Sequence, residues 1–225
     1  MGEKHKVPMF IPHILRRVPT YSFSVILDVG ANTGQSCVPM AEALPDAAIY
    51  SFEPVRRTFQ TLCANTAGHR SIRPFSLALG AVDGRAVMAA APNSPSNRMI
   101  AGTASPSEGQ AVDVMSGKSF CEKHSIRRVS FLKIDAEGHD LEVLKGFDDY
   151  LASVDFVQVE AGMNAYNRTH IPFQDFVSFL SAREFVLFHI YGQAFEFKDG
   201  GRPIARRANP VFINMRLVGS LGRIT

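Results

Sequence analysis

The sequence predicts an α/β fold, a mostly parallel sheet with helices on both faces. Three observations carry this. Short apolar runs ending in turn residues alternate with stretches of helical periodicity, as they do where crossover helices join parallel strands. The first run, "FSVILDVGA", is apolar at successive positions and closes on Gly30, as a strand buried on both faces does. The chain has 225 residues, 46% of them hydrophobic, enough to bury one substantial core and within the range of a single α/β domain.

Residues 1–22 read as an N-terminal extension with a short helix over 11–18, and residues 23–225 as one domain. After the first strand, Asn32 or Thr33 can cap a helix from Gln35 to Leu44 that stops near Pro45. Pro39 fits that helix only in its first turn, where a missing N–H has no partner to lose. "AAIYSFEP" is a second strand closed by Pro54, followed by a helix with Val55, Phe59, Leu62 and Cys63 on one face. "IRPFSLALGAVDGRAVMAA" reads as a third strand, a turn at Asp83 and Gly84, and a further strand, since Asp-Gly between apolar runs signals a hairpin.

Residues 92–119 are rich in Pro, Ser and Gly and read as a loop, either a substrate-side lid or a plain insertion. The alternation then resumes. "VSFLKID" is a strand, "LEVLKGF" a helix using Leu141 and Leu144 with Gly146 as its cap, and "DFVQVEA" a strand. "PFQDFVSFLSA" is a helix showing Phe173, Phe176, Val177 and Leu180, and "FVLFHIYG" and "VFINMRL" close the sheet as an antiparallel pair.

Composition narrows the function. A net charge of +3 demands no nucleic acid. The arginines after Gly200, with no acid among them, are a solvated basic face or meet an anionic substrate. Cys37, Cys63 and Cys121 are odd in number and lack a CxxC pair, which argues against a disulfide framework or zinc site and for a reducing cytoplasm. The first residues make a poor signal peptide, because Pro8, Pro12 and His13 break the apolar stretch, and no run is long enough to span a membrane. Self-association stays open.

"LDVGANTG" falls at the carboxyl end of the first strand, where a doubly wound sheet binds its ligand. Gly30 and Gly34 let the backbone turn sharply, and Asn32 tolerates a left-handed conformation. Glu53, nineteen residues past Gly34, closes the second strand. A carboxylate there can accept both hydroxyls of a ribose. Dinucleotide binders use G-x-G-x-x-G, but Asn32 and Gln35 stand where the second and third glycines belong. S-adenosylmethionine has no diphosphate to cradle, and Asp28 with the turn backbone can meet its amine and carboxylate.

These residues resemble the FkbM family of S-adenosylmethionine-dependent methyltransferases. "VILDVGANTGQ", "YSFEP", "PFSLALGAVDG", "VQVEA" and above all "LKIDAEGHDLEVLKGF" are similar to its successive blocks, over roughly residues 23–218. The resemblance implies the class I methyltransferase fold, a Rossmann-like, mostly parallel sheet with an antiparallel strand. It implies cofactor contacts at Asp28, Gly30, Asn32 and Gly34, ribose at Glu53 and adenine near Ala78 and Leu79. It also implies S-adenosylhomocysteine as product and O-methylation of a sugar, polyketide or related metabolite. His139 departs from the family, which commonly has a small residue there.

Asp135 and Glu160 end the fourth and fifth strands of the parallel sheet and so reach its ligand edge. Three roles compete for them: binding the methionine amine, serving as general base, or holding a divalent cation. With Asn164 they resemble the metal site of catechol-type methyltransferases, but two carboxylates do not define a site and the cation is the less favoured role. Asp135 otherwise caps a helix, and Glu160 otherwise pairs with an arginine. Glu137 reads as lying in the first helical turn, His139 as a second candidate base or a surface residue, and Asp140 as solvated. Lys133, on a buried strand, needs a partner, for which Glu137 and Glu160 are candidates. Two other readings remain: a cofactor-binding regulator without turnover, and a methyltransferase acting on nucleic acid or protein. An N/D-P-P-Y/F motif after the fourth strand, usual in nucleic-acid amine methyltransferases, is replaced by "DAEG".

Overall fold

The computed structural model describes residues 7–89, 99–100, 109–196 and 204–221. In chain order the elements are α1 (Phe10–Arg17), β1 (Val25–Val29), α2 (Cys37–Ala43), β2 (Ala48–Phe52), α3 (Arg56–Thr66) and β3 (Ile72–Phe75). Then come β4 (Ala78–Gly80), β5 (Gly84–Ala89), β6 (Met99–Ile100), β7 (Gly109–Ser116), α4 (Gly117–Lys123), β8 (Val129–Ile134) and α5 (Asp140–Lys145). The rest is β9 (Val154–Gln158), β10 (Ala161–Gly162), α6 (Phe173–Ser181), β11 (Phe185–Glu196), β12 (Ile204–Asn214) and α7 (Met215–Ser220).

The main sheet runs β10-β12-β9-β8-β1-β2-β3, with β11 paired to β12. β3, β2, β1, β8 and β9 are parallel, and β12 enters antiparallel between β9 and β11. This is the mostly parallel sheet the alternation predicts. Strand alternation splits its core in two. Leu27, Val29, Leu132 and Val157 pack with Phe120, Val143, Leu144, Phe176 and Leu180 of α4, α5 and α6 on one face. Ile26, Ile49, Phe131 and Phe156 pack with α1, α2, α3 and α7 on the other. α1 belongs to that second core, since Ile14 is fully buried and Phe10 stacks on Phe131 with ring centroids 4.0 Å apart.

Local expectations fare unevenly. α2 begins at Cys37, so Pro39 does fall in its first turn. Its N-cap position is held by Ser36, without a side-chain bond, rather than by Asn32 or Thr33. The Asp-Gly turn does not close a hairpin. β7 runs between β4 and β5, parallel to the first and antiparallel to the second, in a separate sheet ordered β4-β7-β5-β6. β7 and the start of α4 also occupy 109–119, the last part of the expected loop. The apolar positions of "AVDVMS" supply the pairing, while 92–98 and 101–108 lie outside the described residues. Gly146 ends α5 in a right-handed conformation, not a left-handed one. Its need for glycine is contact: a Cβ would fall 1.9 Å from the Gly80 carbonyl oxygen.

Candidate active site

A cavity of about 280 Å³ opens at the carboxyl ends of β1, β2 and β8, near the lower end of the ~300–1,000 Å³ usual for small-molecule sites. It lies where neighbouring connections leave in opposite directions, the position a doubly wound sheet offers a ligand.

The turn after β1 forms one wall. Gly30 and Ala31 N–H both donate to the Phe52 carbonyl, at 3.0 and 2.9 Å, tying this turn to the end of β2. Gly30 has φ +75°, and a Cβ there would fall 1.9 Å from the Asp135 carbonyl oxygen, so both conformation and contact require glycine. Asn32 takes the left-handed conformation at φ +49°. Gly30 and Asn32 line the cavity. Gly34 does not; at φ +100° it turns the chain into α2 and faces Leu62 and Val38.

Glu53 lines the cavity from the end of β2 and is 6% exposed. Its Oε1 accepts the Val55 N–H at 2.8 Å. Burial raises its pKa, while the Val55 and Asn32 N–H groups pull it back. Those bonds fix the carboxylate, and its remaining lone pairs are available to ribose hydroxyls. Ala78 and Leu79, with Phe52, Pro54, Leu77 and Met88, make the adjoining wall apolar, a surface suited to a base.

Asp135, Ala136, Glu137 and His139 form the opposite side. The Asp135 N–H extends the β1 ladder by donating to the Val29 carbonyl at 3.0 Å, and its side chain is 38% exposed. Glu137 and Gly138, at φ +49° and +95°, carry the chain over the cavity in a left-handed turn. Glu137 therefore precedes α5 instead of lying in its first turn, and His139 holds the N-cap position.

Two expected contacts lie elsewhere. Asp28 is fully buried on the α1/α2 face of the sheet and does not line the cavity. Strand alternation is the reason: Asp28 shares a face with Ile26. Lys133 answers it from β8, Nζ to Oδ1 at 3.1 Å, and lies 3.7 Å from Asp135 Oδ2. Neither Glu137 nor Glu160 is its partner. Burial works against the Lys133 ammonium, but Asp28 and Asp135 outweigh it and its pKa is raised. The Asp28 contact is an ion pair by distance without hydrogen-bond alignment.

Glu160 lies beyond β9 and does not line the cavity. It is held by Arg207 of β12 and by His170 Nε2 at 2.8 Å. Its arginine-paired alternative therefore describes it, because antiparallel β12 brings Arg207 alongside. Among the described residues, no group of three or more His, Cys, Asp or Glu is placed to hold a metal ion.

Asp140 is not solvated. It is 2% exposed, and burial and then the Asp135 charge raise its carboxyl to about 6. A folded-state pKa above the unfolded value favours the protonated form, so stability falls as pH rises from about 4 through about 6. Asp140→Asn keeps the oxygen that accepts the Gly138 N–H but loses a favourable charge at the α5 N-terminus. The net expectation is a gain of about 1–2 kcal/mol at pH 8, shrinking toward zero below about pH 4. Urea melts of both proteins at the two pH values measure it.

Gln35, Ser36, Thr58 and Met88 also line the cavity, and the sequence pattern does not mark them as cofactor contacts. Gln35 and Ser36 were legible in principle as the residues after the glycine turn. Met88 arrives through the β5–β7 pairing, which has no local signal.

The sequence pattern of the Methyltransferase FkbM domain matches residues 28–192. Hexuronic acid methyltransferase AglP of Haloferax volcanii is 31% identical over 139 residues, covering 60% of this chain and 55% of that protein. Methyltransferase 1 of Beauveria bassiana is 27% identical over 162 residues, 63% of this chain and 65% of that protein. The chain thus spans less than two thirds of the length of either curated relative. Among solved structures, an rRNA methylase from Streptococcus thermophilus superposes with a TM-score of 0.51 at 10% identity, covering 93% of this chain and 97% of that one. That likeness speaks to fold alone.

Proposed function

The chain belongs to the FkbM family of class I, S-adenosylmethionine-dependent methyltransferases, and from that premise we propose that it methylates a hydroxyl of a sugar or related metabolite. The observation that carries the proposal is one cavity walled by Glu53, by the apolar Ala78–Leu79 edge and by Asp135. That order suits ribose, adenine and the methionine end of the cofactor. The name of the Haloferax relative supports a sugar acceptor.

Held by Glu53 and the Gly30–Asn32 turn, S-adenosylmethionine would supply an electrophilic sulfonium methyl whose leaving group is a neutral thioether. The chain's part is to orient and deprotonate. Holding the oxygen and methyl in line is worth up to about 7–11 kcal/mol. Glu53 and the Gly30–Asn32 turn fix the cofactor's position for this. A positioned base adds roughly 10²–10⁴-fold, and Asp135 and His139 are the candidates on the cavity wall. Asp135 is the first choice for the base, and binding the methionine amine is the competing role of its carboxylate.

The test is incubation with methyl-deuterated S-adenosylmethionine and a panel of hexose and hexuronic acid glycosides, read by mass spectrometry. Label in an O-methyl glycoside supports the proposal. Label only in RNA or protein contradicts the acceptor, and no turnover of the cofactor with any substrate contradicts the enzyme.

A further inference from the structure

A second cavity, of about 330 Å³, lies against the first and shares Gln35 and Ser36 with it. It opens on the α1/α2 face of the sheet, over the Lys133 and Gln158 end of a polar row. Ser51, Asp28, Lys133 and Gln158 are successive register partners on β2, β1, β8 and β9, so a row of buried polar side chains crosses four strands. The next row on the same face, Ile49, Ile26, Phe131 and Phe156, is entirely apolar and fully buried. Asp28 and Lys133 answer each other as an ion pair, whereas Gln158 has no side-chain partner in the row.

Lys133 and Gln158 are each 9% exposed and both line the second cavity. Lys133 Nζ has no aligned hydrogen bond among the described residues. Nor has the Gln158 or Asn209 side chain, although an amide carries both donors and an acceptor. Gly192 leaves room for Asn209, since a Cβ there would stand 2.5 Å from the Asn209 amide nitrogen. Tyr191 supplies an aromatic wall and is held in place by His13, 3.2 Å from its hydroxyl, and by stacking on His189.

We infer that this second cavity is the acceptor site and that it takes a pyranose sugar. Two amides and an ammonium meet ring hydroxyls, which both donate and accept. Tyr191 offers a face for the ring's apolar C–H side. Gln35 and Ser36 line both cavities, so a ring held in the second lies next to the first. The inference rests on the cofactor occupying that first cavity.

Methionine methyl groups report on each cavity separately: Met88 lines the first, Met9 and Met40 the second. The experiment is a titration of the full chain carrying [methyl-¹³C]methionine, assigned by single Met→Leu variants, first with S-adenosylhomocysteine. Saturated protein then receives methyl β-D-glucopyranoside or, in a parallel arm, methyl β-D-glucuronide. The expected result is a shift of Met88 with S-adenosylhomocysteine, then shifts of Met9 and Met40 with a glycoside while Met88 stays put. The arm that binds tighter tells a neutral acceptor from an acidic one. Gln158→Leu should weaken glycoside binding roughly tenfold, as loss of a hydrogen bond to a buried group does, with the Met88 response retained. Asn209→Ala, at a half-buried position, gives a second reading if Gln158→Leu folds poorly. Met9 and Met40 unmoved by either glycoside in protein whose Met88 responds, or glycoside affinity unchanged in both variants, overturns the inference. Silence of Met88 toward S-adenosylhomocysteine overturns the cofactor assignment instead, and this inference with it.

Discussion

Asp135→Ala is expected to lower kcat/KM for methyl transfer by about 10²-fold or more, since a positioned base is worth roughly 10²–10⁴-fold and a charge-assisted contact up to about 10²-fold. The fold should survive. The side chain is 38% exposed, and Lys133 keeps its closer partner, Asp28. The two roles open to Asp135 separate kinetically. Loss confined to kcat, with S-adenosylhomocysteine affinity intact, identifies the base. Loss of cofactor affinity with kcat largely kept identifies the amine contact. His139→Gln in the same assay asks whether the imidazole shares the work. Undiminished transfer by Asp135→Ala would remove Asp135 from the mechanism altogether.

Lys133→Met should destabilise the fold strongly. It keeps much of the side-chain volume but strands the fully buried Asp28 carboxylate without a counter-charge. Breaking such a pair costs about 3–5 kcal/mol, or roughly 6–20 °C in Tm for a chain of this size. The pH dependence carries a sign. With the lysine gone, burial holds the Asp28 pKa above its unfolded value, so the deficit grows as pH rises above about 4 and is small below it. Asp28→Asn added to Lys133→Met should recover part of the loss at pH 8. Denaturant melts at two pH values measure both effects. A deficit under about 1 kcal/mol at pH 8 would mean that the pair contributes little to stability.

What was legible in the sequence was what local pattern controls. Gly30, Asn32, Glu53, Ala78, Leu79 and Asp135 were all chosen from strand ends, a glycine turn or the family blocks, and all line the first cavity. His139 does too. Asp28 does not, because a strand end fixes where the backbone goes while alternation fixes which face a side chain takes; Gly34 does not because it turns the chain into α2 and packs on Leu62 and Val38. Glu160 shows the other limit. Its partner Arg207 is 47 positions away and arrives only when β12 inserts beside β9. β7 likewise displaces the expected β4–β5 hairpin through non-local pairing. The second cavity, assembled from the N-terminal segment, α2 and four strands, has no local signature at all.

S-adenosylmethionine is expected to occupy the cavity walled by Glu53. Calorimetric titration of S-adenosylhomocysteine into wild-type protein and Glu53→Gln tests this most directly. One binding site is predicted in the wild type, weakened about 10- to 100-fold in the variant, since a fixed carboxylate bonded to hydroxyls is worth about 1.5–3 kcal/mol. No heat of binding at about 1 mM ligand, where even a weak site is half filled, or equal affinity in the two proteins, would contradict it.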